Sequence, residues 1–430
     1  MKRLLGYLLC LVLLFSFAQA EEFALPRLSQ EVASLLLADD YAALVSRFDE
    51  NMASALTEEA LSQTMQALAL QYGPRQQDIN LELFPDQNAV VLTLHYARSA
   101  INLTVVFNEA EQISGMFVQP AAVEPTAKEL VQTAAETSLT LFAGTERELS
   151  ARLITPENEQ APYVIFVHGS GASDMDETIG PNKPFRDLAY DLAALGVGSL
   201  RFDKITYAHP ALPCDTVTQE YLEPVTEALR VLREHASPSA VYVIGHSEGG
   251  MLAPWLTEEC GFDGAVVMAG TPKTLWEIQW MQNMAVLAFV PREHQEAQQA
   301  FVQAEVQKAS RLLSMSEAEL ASTTLFGLSA VYHRSIAELD EIALVKDSGK
   351  PFLFLWGDCD LQVDRASFEA WQEGLNEYEK AEYIVYPGLN HLFLTAQEDD
   401  SILSVQEAYS RPETIGQQIS QDIAEWIHAQ

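Results

Sequence analysis

The chain has 430 residues, of which 48% are hydrophobic and 20% are charged, a composition typical of globular proteins and not of disordered, collagen-like or coiled-coil chains. Asp and Glu number 61 against 25 Lys and Arg, for a net charge of −36, and such a surface repels nucleic-acid phosphates and anionic membranes. The length allows one large domain or two smaller ones, and the body of the chain lacks an unbroken apolar run of about 18 residues that could span a membrane.

The first twenty residues are typical of a secretory signal peptide. Lys2 and Arg3 supply positive charge, an apolar run covers residues 4–17, and the small residues Ala18 and Ala20 stand where signal peptidase cleaves. We therefore expect residues 1–20 to be removed and the protein to be exported, to the periplasm or the cell exterior. An uncleaved anchor is the alternative, although the run is short for a membrane helix.

Residues 21–120 are predicted to form a small α+β domain. Apolar residues recur at helical spacing over residues 28–73. Alternating or apolar segments then predict four strands, at residues 79–83, 90–96, 101–107 and 112–118. Helices followed by an antiparallel meander fit an α+β domain. No group of residues in it has catalytic spacing, so its role stays open.

Residues 126–430 have a different pattern, in which short apolar strands alternate with helices. The main predicted strands lie at residues 163–167, 197–202, 240–244, 265–268, 351–356 and 382–386. Strands that are apolar on both faces and separated by helices indicate a mostly parallel sheet covered on both sides. Two earlier segments, at residues 138–142 and 148–154, could add antiparallel strands at one edge.

A candidate nucleophile follows the strand at residues 240–244. The segment Gly245-His246-Ser247-Glu248-Gly249 has the pattern Gly-x-Ser-x-Gly, and helix-forming residues come next. Between a strand and a helix this pattern makes a turn so sharp that it needs the glycines, and it places the Ser247 hydroxyl at a helix N-terminus. The sequence therefore predicts Ser247 as a nucleophile.

A serine nucleophile needs a histidine base and an acid that orients the histidine, and in such sheets their order along the chain is Ser, acid, His. The strand at residues 351–356 leads into Asp358, Asp360 and Asp364, and the next strand leads into His391. Both loops are expected at the carboxyl edge of the sheet, beside the nucleophile. His391 is the predicted base, and the acid is one of the three aspartates.

Four segments, taken in order, resemble the α/β-hydrolase family: residues 168–171, 245–249, 357–363 and 388–391. The resemblance covers residues 126–430 and implies an α/β-hydrolase domain with a serine hydrolase site. The family's Gly-x-x-Asp pattern implies Asp360 as the acid. The resemblance also implies an oxyanion hole made by the backbone N–H groups of Ser170 and Glu248, with Gly171 replacing Ser170 if the loop register differs. Residues 200–204 and the Ser247 turn look like a bacterial subgroup in which a small domain of unknown function precedes the hydrolase.

These features predict a secreted serine hydrolase that cleaves carboxylic esters through an acyl-enzyme on Ser247. A serine peptidase or thioesterase on the same triad is the alternative, and a non-catalytic binding protein with a hydrolase fold is an alternative of another class. No metal-ligand spacing or nucleotide-binding motif is present, so we expect no metal and no cofactor. The expected partner is a small-molecule ester, and the oligomeric state stays open.

The connection over residues 272–348 is far longer than an ordinary loop and is predicted to be a helical lid. Within it, Trp276, Trp280 and Met284 recur at helical spacing, and an insertion at this point in the resembled family commonly caps the active site. We expect these side chains to line an apolar acyl pocket that favours uncharged acyl groups of medium length. An insertion with no part in binding is the alternative.

Three cysteines remain after the signal is removed, an odd number for an exported chain: Cys214, Cys260 and Cys359. Cys260 ends the helix that begins at Ser247, so it is expected at the opposite edge of the sheet from the other two. Cys214–Cys359 is therefore the one plausible disulfide, and three free thiols are the alternative.

Overall fold

A computed structural model describes residues 25–72, 74–96, 100–120, 128, 131–158, 160–290 and 292–430. The predicted signal peptide and most of the segment that joins the two predicted domains lie outside these residues. The chain divides into two compact units, Met1–Ala121 and Ala122–Gln430.

The first unit consists of helices followed by an antiparallel sheet. The helices are α1 (Leu25–Leu37), α2 (Tyr41–Val45), α3 (Glu50–Ala55) and α4 (Glu58–Tyr72), and the strands are β1 (Arg75–Phe84), β2 (Ala89–Tyr96), β3 (Ala100–Phe107) and β4 (Ile113–Pro120). The strands pair in the order β1-β2-β3-β4. Side chains of β2 and β3 alternate between buried and half-buried, as expected of a sheet with one face on a core.

The second unit is built on an eight-stranded sheet in the order β14-β13-β10-β9-β7-β8-β6-β5. The strands of this unit, with a separate short hairpin (β11 and β12), are β5 (Ala135–Leu141), β6 (Leu149–Thr155), β7 (Tyr163–Val167), β8 (Gly198–Phe202), β9 (Val241–His246), β10 (Gly264–Met268), β11 (Thr324–Leu325), β12 (Leu328–Ser329), β13 (Phe352–Gly357) and β14 (Ala381–Tyr386). Neighbours from β14 to β8 are parallel, and β6 is antiparallel to both β8 and β5. The mostly parallel sheet with an antiparallel edge confirms the predicted fold class.

Helices cover both faces of this sheet. The helices of the second unit are α5 (Pro184–Ala194), α6 (Ile205–Ala208), α7 (Glu223–His235), α8 (Glu248–Cys260), α9 (Leu275–Leu287), α10 (Arg292–Ala309), α11 (Glu317–Ser322), α12 (Ala330–Ala337), α13 (Glu341–Ser348), α14 (Arg365–Gly374), α15 (Val405–Tyr409) and α16 (Gln417–Ala429). Side chains of α5 and α16 share one apolar core, and those of α7, α8 and α14 share the other. Burial on both faces explains why strands β7, β9, β10 and β13 are apolar at nearly every position.

The long connection between β10 and β13 forms helices α9 to α13 and the β11–β12 hairpin. Helix α9 begins with a capping box, in which Thr274 and Glu277 satisfy each other's backbone N–H groups. In the described part of the chain, no helix is both long and apolar enough to cross a bilayer.

Candidate active site

Ser247 stands at the sharp turn between β9 and α8. Its backbone has φ +54° and ψ −115°, a conformation that costs about 1–3 kcal/mol and persists only where the surroundings impose it. Its N–H donates to the carbonyl oxygen of Met268 on the neighbouring strand, at 2.9 Å. The turn therefore lifts the Ser247 side chain out of the sheet at its carboxyl edge, as the motif predicts.

The two glycines of the motif make this turn possible. A Cβ added at Gly245 would overlap the carbonyl oxygen of Gly249, and one added at Gly249 would overlap the carbonyl oxygen of Val167. Backbone thus packs on backbone on both sides of Ser247, and no side chain fits there.

The structure brings two of the other predicted site residues together. His391 Nδ1 lies 2.7 Å from Asp360 Oδ2, and both side chains are buried. The second oxygen, Asp360 Oδ1, accepts hydrogen bonds from the backbone N–H groups of Gln362 and Val363, at 2.8 and 2.9 Å. Because a carboxylate only accepts, Nδ1 of His391 carries a proton, and Nε2 is the basic nitrogen of the neutral ring.

The other two aspartates of this loop cap the backbone. Asp358 is exposed and accepts from the N–H of Gly388, at 2.7 Å. Asp364 caps the start of α14 and accepts from the N–H and the hydroxyl of Ser367, at 2.9 and 2.8 Å. The structure therefore places Asp360 alone, of the three, against the histidine.

Ser247 and His391 line one cavity of about 140 Å³ at the carboxyl edge of the sheet. Ser170 and Glu248, whose backbone N–H groups are the two predicted oxyanion donors, line the same cavity, and its other lining residues are Met251, Thr271, Leu275, Ile278, Gln279, Gln282, Leu328, Gln362 and Val363. The N–H of Glu248 belongs to the first turn of α8, where helical N–H groups have no partner within the helix. It is thus available to a developing negative charge.

The predicted pocket residues do not line this cavity. Trp280 and Met284 are about two-fifths exposed and line a separate groove between α9 and α10, while Trp276 packs against the apolar cluster of the insertion. Leu275 and Ile278, on another face of α9, reach the cavity instead. Apolar residues occur all round α9, so helical spacing could not select its inward face.

Sequence reasoning missed a buried ion pair behind the site, between Glu177 and His246. Glu177 Oε1 accepts from His246 Nδ1, at 3.0 Å, and from the N–H of Gly169, at 2.8 Å. His246 Nε2 lies 2.9 Å from the carbonyl oxygen of His391. Since both neighbours of the His246 ring are acceptors, both ring nitrogens carry protons.

The charge balance agrees with this assignment. Burial works against a charge on His246, but the Glu177 carboxylate and its hydrogen bond outweigh burial and raise the pKa of His246. His168, by contrast, bonds to a backbone group: its Nε2 lies 2.9 Å from the carbonyl oxygen of Asp174, and burial lowers its pKa to about 4. His168 is thus neutral and holds the loop after β7. No sequence signal separates Glu177 from the chain's other acids.

All three cysteines of the second unit are free thiols, so the predicted Cys214–Cys359 bridge is not formed. Within the ranges that the structure describes, no three His, Cys, Asp or Glu side chains come together as a metal-binding group.

Comparisons with known proteins match both units. A family model described as "Alpha/beta hydrolase family" matches residues 164–401, more than half of the chain. A second model, described as "Protein of unknown function (DUF3887)", matches residues 29–116.

Among individual proteins, the chain is similar to Esterase EstD of Thermotoga maritima, with 29% identity over 343 residues that cover 78% of each chain. Among solved structures it is similar to Est1E from Butyrivibrio proteoclasticus, with 18% identity and a TM-score of 0.43 over 68% of this chain and 99% of that one. It is also similar to the Pyrococcus furiosus esterase Pf2001, with 14% identity and a TM-score of 0.42 over 71% and 97%.

Proposed function

Because this chain belongs to the alpha/beta hydrolase family, we propose that it is a serine carboxylesterase that forms an acyl-enzyme on Ser247. The observation that carries the proposal is the meeting of three groups at one sheet edge. Ser247 and His391 line one cavity, and Asp360 accepts the Nδ1 proton of His391 at 2.7 Å. That is the arrangement by which a weak hydroxyl nucleophile is activated.

In the proposed mechanism, Ser247 Oγ attacks the ester carbonyl while His391 Nε2 takes its proton. The carbonyl oxygen becomes negative and is held by the N–H groups of Ser170 and Glu248. The tetrahedral intermediate then collapses, the bond to the alcohol breaks, and His391 returns the proton to the departing oxygen. Water repeats the sequence on the acyl-enzyme and releases the acid. Asp360 keeps the His391 ring in the tautomer that both steps require.

Two features favour an uncharged ester over a peptide. The relative that matches over 78% of each chain is named an esterase. The lining of the cavity also contains no Lys or Arg side chain for a peptide carboxylate, and its one carboxyl side chain, Glu248, is bonded to Tyr332.

A panel of p-nitrophenyl esters of rising acyl length, set beside aminoacyl p-nitroanilides, tests this proposal. We expect hydrolysis of short to medium acyl esters and little or no release from the anilides. Faster cleavage of the anilides would make the protein a peptidase, and the absence of turnover on every substrate would make it a non-catalytic protein.

We also propose that the protein is exported, because Lys2, Arg3 and the apolar residues 4–17 have the form of a signal peptide. The N-terminal sequence of protein purified from a cell that expresses the full gene tests this. A mature chain that begins at Glu21 supports export, and one that retains residues 1–20 contradicts it.

A further inference from the structure

Five polar side chains form a buried network beside the cavity, which we call the Glu248 network. Its members come from separate parts of the second unit: Lys204 after β8, Glu220 and Tyr221 in the turn before α7, Glu248 at the start of α8, and Tyr332 on α12. Each is less than one-tenth exposed. Polar groups buried this close together must hydrogen-bond to one another, so the positions of their protons can be deduced by matching donors with acceptors.

The network holds the peptide that carries one predicted oxyanion donor. Lys204 Nζ and the Tyr221 hydroxyl both donate to the carbonyl oxygen of Gly169, at 2.8 and 3.1 Å. The peptide bond is planar and trans, so the N–H of Ser170 points away from the carbonyl of Gly169. The hydrogen bonds from Lys204 and Tyr221 to this carbonyl oxygen therefore fix the direction of the Ser170 N–H.

The contacts of Tyr332 require a proton that the hydroxyl alone does not supply. The Tyr332 oxygen lies 2.6 Å from Glu220 Oε2 and 2.8 Å from Glu248 Oε1. A hydroxyl has one proton to donate, and an ionised carboxylate has none. One of these two hydrogen bonds must therefore use a proton that belongs to a carboxyl group.

The surroundings show which carboxyl group it is. Glu220 Oε1 lies 2.9 Å from Lys204 Nζ and accepts a hydrogen bond from the hydroxyl of Thr206, at 3.1 Å, so Glu220 has a cation and one further donor. Glu248 bonds instead to the hydroxyl of Tyr332 and contacts that of Tyr221, whose one proton is already donated to Gly169. Glu220 is thus the ionised member, balanced by Lys204.

Two influences on Glu248 oppose each other. The N-terminus of α8 favours a negative charge by about 0.3–2 kcal/mol, whereas taking a carboxylate out of water costs several kcal/mol. Burial is the largest influence and raises the pKa of Glu248; the charge of Glu220 adds to it, against the charge of Lys204 and the two tyrosine hydroxyls. The neutral form is therefore favoured.

We propose that Glu248 is a neutral carboxylic acid that donates its proton to Tyr332 and so ties the insertion, through α12, to the oxyanion hole. Tyr332 donates its own hydrogen bond to Glu220, and Lys204 bonds both to Glu220 and to the carbonyl oxygen of Gly169. Glu248 and Lys204 are thus positioning residues for the N–H groups of Glu248 and Ser170. This positioning role rests on the proposed esterase function; the proton on Glu248 does not.

The stability of Glu248→Gln as a function of pH tests the proton. A glutamine amide supplies an N–H where the acid has its O–H, and it does not titrate. Because the folded wild type keeps a proton that the unfolded chain releases above about pH 4.3, wild-type stability falls as pH rises through this range. The free energy of unfolding of the variant, measured in urea, should therefore increase relative to that of wild type as pH rises from 4 toward neutrality.

Glu220→Gln is the matched control, because it removes the charge that balances Lys204. It should be less stable than wild type throughout, with no comparable gain as pH rises. For the positioning role, Glu248→Ala should lower kcat for p-nitrophenyl butyrate by about tenfold or more with little change in KM, and Glu248→Gln should restore most of that loss.

A flat difference between Glu248→Gln and wild type from acid to neutral pH would overturn the proposal, as would a loss of stability in Glu248→Gln as large as in Glu220→Gln. Failure of wild type to hydrolyse any ester would refute the proposed function and with it the positioning role. The stability comparison would then still decide where the proton lies.

Discussion

Replacing Asp360 with asparagine exchanges one carboxylate oxygen for an amide NH₂ group and should remove most of the ester hydrolysis activity. Asp360 Oδ1 accepts two backbone N–H groups, at 2.8 and 2.9 Å, so the carbonyl of the new amide must face them. The opposite orientation would leave two buried donors against an NH₂ group, at about 1–3 kcal/mol each. The amide NH₂ therefore faces His391 Nδ1, which must become an acceptor. The proton of His391 then moves to Nε2, the nitrogen that must be unprotonated to accept the proton of Ser247.

The wrong tautomer should lower kcat/KM for p-nitrophenyl butyrate by about 10²–10⁴-fold, which is about 2.7–5.4 kcal/mol of transition-state stabilisation. Asp358→Asn is the control, because an asparagine oxygen can still accept from Gly388, and it should change kcat/KM by less than about threefold. Melting temperatures would show that both variants fold. If Asp358→Asn were the inactive variant, or if the two lost equal activity, the assignment of the acid to Asp360 would be wrong.

Two further predictions test the surroundings of the triad. Glu177→Gln removes the carboxylate that raises the pKa of His246. A raised histidine pKa stabilises the fold at pH values below the ordinary histidine pKa, and this stabilisation is lost as pH rises, so in urea unfolding the variant should lose most stability near pH 5 and least near pH 9. Equal losses at the two pH values would contradict the buried ion pair. Ile278→Ala should increase the ratio of octanoyl to acetyl ester turnover, because Ile278 lines the cavity and its truncation enlarges it. Trp280→Ala should leave this ratio unchanged. The reverse result would support the acyl pocket predicted at Trp280.

Local patterns predicted the scaffold and the sharp turn at Ser247 because the physics that sets them is local. A strand buried on both faces is apolar at each position, and the turn at Ser247 needs glycines within two residues of it. The fold class follows from these signals, and the structure and the family match agree with it. The position of Asp360 in its loop pointed to the residue that contacts His391.

Long-range pairing and helix orientation could not be predicted from one sequence. Glu177 and His246 are 69 positions apart, and Tyr332 meets Glu220 from 112 positions away; only the completed fold brings them together. Helix α9 is apolar on several faces, so its rotation depends on what it packs against, and Ile278 rather than Trp280 reaches the cavity. Sequence patterns locate residues along an element, whereas tertiary packing decides which face is used.

The identity of the nucleophile is tested most directly by labelling the protein with a fluorophosphonate and mapping the modified peptide. We predict one label per chain, on Ser247, with loss of ester hydrolysis in proportion to labelling, and neither label nor hydrolysis in Ser247→Ala. A label on another residue, or ester hydrolysis that persists in folded Ser247→Ala, would contradict it.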